Sequence, residues 1–412
     1  MFMNTDLNKI KELDAELVSI GKTIKILSEL SWEPQHATDF VSNWEKGTPK
    51  LPVISYPARN LTERKSDLRK IMRKCDRSHP LANFLFETAE SYYFGAELIE
   101  NLGKPEFGEL SCQIYGTPRD LMSFTSISAL DASQHFLDVT GNLIAASRQT
   151  DHEVCLMAEY VKEEMEKVIR PFFHNHNVEV VIDAKLVSKA AAGATRIRLR
   201  NYTCFAPIDI PQLIEHEAFV HTLSLLNGRE QPNLKTLGLG APRTTKTQEG
   251  LALFAELITN SIDLSRLRRI AARVKGVDMA LRGADFIEVF KFFLESGQNE
   301  TEGFYSAMRI FRGGDVKGKV AFTKDVTYLH GFVQVHRFLE DAIQKERTWD
   351  AHYLFCGRLT TSDVSNITPF IQSKFIIPPL YEPKWIKNRH SLMAFLVYSN
   401  FASKLGLNGH QK

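Results

Sequence analysis

Cysteine is scarce in this sequence, five residues in 412, and no two of them are spaced CxxC. Cys75, Cys112, Cys155, Cys204 and Cys356 are scattered and odd in number, which leaves no paired-cysteine motif and points to free thiols in a reducing compartment. Long apolar runs are also missing. None reaches the ~18 residues of a membrane span, so no membrane association is expected. Nor does charge of one sign dominate: the formal net charge is +2, too weak a field to draw nucleic acid or an anionic membrane. The opening Met1 to Asp6 lacks a basic region followed by an apolar one, so no secretory signal is expected and the cytoplasm is the default location. Tandem repeats and low-complexity tracts are absent. What remains, 43% hydrophobic and 24% charged residues, is ordinary globular usage with material for a large core.

Hydrophobic periodicity organises the first part of the chain into helices. Leu7, Ile10, Leu13, Leu17, Ile20, Ile24 and Leu27 recur at helical spacing, and further helices are expected over 37–44, 61–73 with Asn60 as cap, 80–102 and 131–146. The Gly and Pro residues between Gly103 and Asp120 read as a connection. After a helix over 151–168 the period changes. Residues 178–183 and 194–200 read as strands, the second with Arg196, Arg198 and Arg200 outward and Ile197 and Leu199 inward. The pattern predicts an α+β protein, predominantly α. A helical N-terminal lobe over 1–150 packs as one unit with a lobe over 151–412, leaving a small sheet and a metal cleft between largely helical parts.

Chemistry concentrates in one apolar helical run, Pro211 to Leu223, which contains His216, Glu217 and His221 in the order HExxxH. Neutral imidazoles hold Zn²⁺, an open coordination position carries a water, and an adjacent Glu takes that water's proton. The spacing is one residue longer than the commoner HExxH. Around a regular α-helix positions five apart diverge by ~140°, too far to share one ion. A widened π-type turn realigns them, so such a turn is expected between His216 and His221. His152-Glu153 also starts with HE but has no second His at a matching distance. Asn227-Gly228 is expected to stop the motif helix. Downstream, Gln248-Glu249-Gly250-Leu251-Ala252 opens another helix. Glu249 is the candidate third ligand, with Glu256 as the rival or as the carboxylate that orients a ligand ring. Gly250 suits a close approach by another segment, for which the metal helix is the candidate.

The HExxxH run, the Asn227-Gly228 and Gln231-Pro232 pairs, and the QEGLA pentapeptide at 248–252 together resemble the flavohaemoglobin expression-modulating QEGLA-motif proteins. That family includes the animal microtubule-associated tyrosine carboxypeptidases. The resemblance implies a gluzincin-like zinc peptidase with one Zn²⁺ on His216, His221 and Glu249, and with Glu217 as general base. In the animal members it implies removal of a C-terminal tyrosine from α-tubulin tails; nothing in this sequence identifies a microtubule-binding segment.

An exopeptidase needs a cation for the substrate's terminal carboxylate and a donor near the developing oxyanion. Arg309, Arg312, Lys324 and Tyr328 are the candidates. The strand bearing Arg196 and Arg198 lies just upstream of the motif helix, where an exposed edge would accept an extended peptide. The expected function is therefore a metallocarboxypeptidase acting on a peptide or protein C-terminus. The alternative is a non-catalytic regulator of the same fold that binds a partner and modulates expression. Retention of His216, Glu217, His221 and Glu249 together favours catalysis, because a binder does not need the base.

Overall fold

The computed structural model describes residues 7–123, 125–147 and 154–406. The signal reading of residues 1–6 and the His152-Glu153 pair lie outside them. The fold is α+β and predominantly α, with a three-stranded sheet. Among the described residues no helix is long and apolar enough to cross a membrane.

Two apolar cores hold the helices together. The larger draws Ile10, Leu17 and Leu85 from the first part of the chain, and Val220, Phe254 and Phe355 from the second. The smaller is aromatic: Phe40, from the Gln35–Glu45 helix, meets Phe286 and Phe290 edge-on with centroids 5.0 and 4.9 Å apart. Edge-to-face contacts of this kind stabilise beyond the area they bury. Both cores thus cross residue 150.

Several sequence expectations need correction. Between Gly103 and Asp120 there is a helix, Pro105–Tyr115, because proline at a first helical turn starts a helix as readily as it ends one. Gly228 does not stop the motif helix, which continues to Glu230. A Cβ at Gly228 would lie 2.0 Å from the Leu237 carbonyl oxygen, so the glycine answers to close packing. Asn227 beside it donates to the carbonyls of Phe355 and Tyr381 and accepts from the Tyr381 N–H, pinning the C-terminal segment to this helix.

The sheet also differs. β1 (Glu179–Asp183), β2 (Ala190–Ala192) and β3 (Arg196–Arg200) lie in the order β1-β3-β2, with β3 parallel to β1 and antiparallel to β2. The arginine-bearing strand is therefore central and has no edge to offer. β2 is the edge on the cleft side, a strand that three alanines concealed because they carry no alternation. On β3, Arg196 and Arg198 are exposed, but Arg200 is buried against Glu302 and the Tyr305 ring.

The free-thiol expectation fails for two cysteines. Cys155 and Cys204 form a disulfide, brought together by an antiparallel bridge in which Leu156 and Phe205 exchange backbone hydrogen bonds. Cys75, Cys112 and Cys356 are free. The pairing joins positions 49 apart in sequence, which no local spacing reveals, and it removes the cysteine argument for a reducing compartment.

Candidate metal centre

The motif helix opens with α-helical turns at Asp209–Leu213, becomes a π-helix over Ile214–Thr222 and returns to α-helix at Leu223–Glu230. The widening covers nine residues, more than the single turn the HExxxH spacing requires. Its effect is the one needed. The His216 and His221 rings face the same side, edge-to-face with centroids 4.8 Å apart.

The third member comes from the Thr245–Ile258 helix, which packs along the π segment. Glu249 Oε2 lies 3.6 Å from His216 Nε2 and 3.7 Å from His221 Nε2, and one potential ligand atom from each residue lies within 4.8 Å of the others. Those separations exceed a hydrogen bond, and Glu249 Oε2 is buried without a partner. Burial favours the neutral acid at Glu249, yet Lys324 and the two imidazoles hold its carboxyl well below the usual range. An ionised, buried oxygen without a hydrogen bond, facing two imidazole nitrogens, is a donor set that fits a metal ion.

Neighbouring side chains fix this geometry. His216 Nδ1–H donates to Glu256 Oε1 at 2.6 Å, which leaves Nε2 directed at Glu249. Glu256 is fully buried, and it also accepts from Gln212 and from two Arg266 nitrogens. Burial opposes its charge, but Arg266 and His216 bring the Glu256 carboxyl down to about 2. Glu256 therefore orients the His216 ring, and Glu249 is the carboxylate that faces both imidazoles. Lys324 Nζ donates to the other Glu249 oxygen at 2.6 Å. Tyr328 stacks on His216 with centroids 6.5 Å apart.

The centre opens on a cleft of about 780 Å³, lined by Glu217, His216, His221, Glu249, the β2 segment and Tyr328 among others. Fourteen Lys and Arg residues line it against six Asp and Glu, in a chain whose net charge is +2. Of the expected substrate contacts, Arg309, Arg312, Lys324 and Arg198 reach this cleft and Arg196 does not. Arg198 is paired with Asp183 at 3.2 Å, and Arg309 donates to both oxygens of Asp325.

Sequence reasoning missed four polar residues here. Arg266 and Arg273 belong to a helix whose sequence shows only that it is basic; they stand seven apart, two turns along one side of the Leu264–Leu281 helix, and that side faces the cleft. Gln248 is 1% exposed with neither amide atom hydrogen-bonded, and Arg358 has a buried Nε without a partner; both line the cleft. Only the position of Gln248 beside Glu249 signalled its place.

Fold and site define a predominantly helical protein with a buried His-His-Glu cluster able to hold a metal ion, set in a basic cleft. The chain belongs to the microtubule-associated tyrosine carboxypeptidase family, whose model matches residues 39–404. No curated protein matches it significantly.

Proposed function

We propose that the protein is a zinc-dependent carboxypeptidase that removes the C-terminal residue of a peptide or protein. The observation that carries this reading is the convergence of His216, His221 and the unpartnered Glu249 Oε2 within 4.8 Å, next to Glu217. When bound, zinc would acidify a water and polarise the scissile carbonyl. Glu217, lining the cleft one residue from His216, takes the water's proton and passes it to the leaving amine. Tyr328 supplies a phenol donor for the oxyanion from its place over the His216 ring. Lys324 keeps Glu249 ionised and turned toward the imidazoles. β2 offers its free edge to an extended substrate, and the excess of cations along the cleft suits a peptide that carries negative charge.

Elemental analysis of purified protein is expected to find one zinc per chain. Dialysis against a chelator should abolish release of the C-terminal residue from a free-acid peptide, and zinc should restore it. A zinc-loaded protein that hydrolyses no such peptide overturns the reading.

Zinc binding should also release a proton. Burial disfavours a charged His216, but the Glu249 and Glu256 carboxylates raise its pKa to about 10, so before zinc binds the ring is protonated at neutral pH. A ligand nitrogen must be unprotonated. Because this pKa is raised, the proton is lost on binding at any pH below about 10, and apparent zinc affinity should climb about tenfold per pH unit between about pH 7 and 9. Titration calorimetry in buffers of different ionisation enthalpy measures the released proton; heats independent of buffer contradict it.

A further inference from the structure

Three guanidinium groups, those of Arg273, Arg309 and Arg312, line the cleft with Tyr328, and the buried carboxylate of Asp325 lies behind them. Arg309 is committed to that carboxylate through both oxygens. Lys324, the nearby ammonium, is committed to Glu249. The other two are not committed. Arg312 is 6% exposed, sits at the end of the Glu300–Phe311 helix and lies over the Phe322 ring at 5.2 Å. Its guanidinium makes no hydrogen bond among the described residues, and its buried Nε has no partner. Arg273, 16% exposed, approaches Asp325 only to 3.9 Å, and its Nε is likewise without a hydrogen bond.

Set against Asp325 alone, the three arginines leave two positive charges over. Buried cations without partners are destabilising, so native packing rarely keeps them unless a ligand completes the site. The chain builds this arrangement with care. Arg309 stands in the last turn of the Glu300–Phe311 helix and Arg312 caps it three residues on with extended backbone, and the chain then turns at Gly313, whose φ is +83° and where a Cβ would lie 2.3 Å from both Leu30 and Phe107. Burial, then repulsion from Arg309, pushes both Arg273 and Arg312 down to about 10, as expected of cations short of an anion. Arg358 is a weaker candidate, because its charge already faces Glu249 and Glu217.

We propose that Arg273 and Arg312 together grip the terminal carboxylate of the substrate, with the Arg309–Asp325 pair as the brace that positions them. A guanidinium presents two parallel N–H donors to a carboxylate, so two of them satisfy both oxygens and exclude a chain that continues past this point. The site lies next to Tyr328, and Tyr328 lies over His216, so the anion is held beside the metal centre. This assignment rests on the peptidase reading for its meaning, but its test does not depend on turnover.

The test uses two hexapeptides of one sequence ending in tyrosine, one with a free carboxylate and one amidated. Binding to zinc-loaded Glu217→Gln protein is measured by calorimetry, and kcat/KM in the background that retains Glu217. The free acid is expected to bind about 100-fold more tightly than the amide. Arg273→Met and Arg312→Met, each placed in that Glu217→Gln background, should collapse this preference to a few-fold, and with Glu217 retained the loss should fall in KM more than in kcat. Each Met variant should melt no lower than its parent, because a buried cation held for a ligand is destabilising without it. Arg273→Lys and Arg312→Lys keep the charge but lose the fork, and should lose most of the preference even if a Met variant fails to fold. A preference that survives these substitutions overturns the anchor. If no peptide is cleaved but the free acid still binds preferentially through these arginines, the peptidase reading falls and the anion site stands.

Discussion

Glu217→Gln is expected to lower kcat for release of a C-terminal residue by about 10³-fold while zinc content stays at one per chain. Glutamine has the size and polarity of the residue it replaces but cannot take a proton from water. No hydrogen bond ties the Glu217 side chain among the described residues, and two of the three cluster side chains are held by other partners, Glu256 on His216 and Lys324 on Glu249. The substitution therefore removes the base without loosening the grip on the ion. Comparison of kcat with elemental analysis on one preparation checks both halves. Turnover within a few-fold of the parent would exclude Glu217 as the base, and loss of zinc would mean that it helps hold the ion.

Gly250→Ala should destabilise the fold by about 3 kcal/mol or more, a large effect for one methyl group. The Thr245–Ile258 and Thr327–Gln344 helices cross with their backbones in contact at Gly250 and Gly331. A Cβ on Gly250 would lie 2.0 Å from the Gly331 carbonyl carbon, and one on Gly331 would lie 1.9 Å from the Lys246 carbonyl oxygen. Neither neighbour is a flexible side-chain tip, so one helix must move. The helix that moves carries Tyr328 and follows directly on Lys324, while Glu249 sits beside Gly250, so the same shift pulls apart the Lys324–Glu249 contact. Zinc affinity should fall together with stability. Urea unfolding alongside a chelator competition reads both quantities; a variant within 1 kcal/mol of the parent would show that the crossing is able to relax.

The glycine illustrates how far the sequence could be read. Its demand for close approach was legible, but the partner was not: the neighbour is the Thr327–Gln344 helix, not the metal helix, because partners across the fold leave no mark at the position itself. The triad was legible for a different reason. An imidazole pair five apart cannot act together on regular α-helix, so spacing alone required the backbone to widen, and it does. Glu249 followed from the chemistry of a third ligand. Single cations gave less. Arg273, Arg358 and Arg312 differ from surface arginines only in what surrounds them, and periodicity does not report that. β2 escaped because Ala190, Ala191 and Ala192 have no polar face, and Cys155–Cys204 because a non-local pair has no spacing to recognise.

The widened stretch also bears on how this protein can change over evolutionary time. Losing one codon between His216 and His221 would produce the shorter and commoner zinc signature. A widened stretch absorbs its extra residue locally, so on excision the backbone would tighten to regular α-helix while the second imidazole and the turns after it keep their phase. Asn227 would then still meet the carbonyls of Phe355 and Tyr381 that it clasps. The two signatures are thus a lone deletion apart, with no compensating insertion required before Asn227.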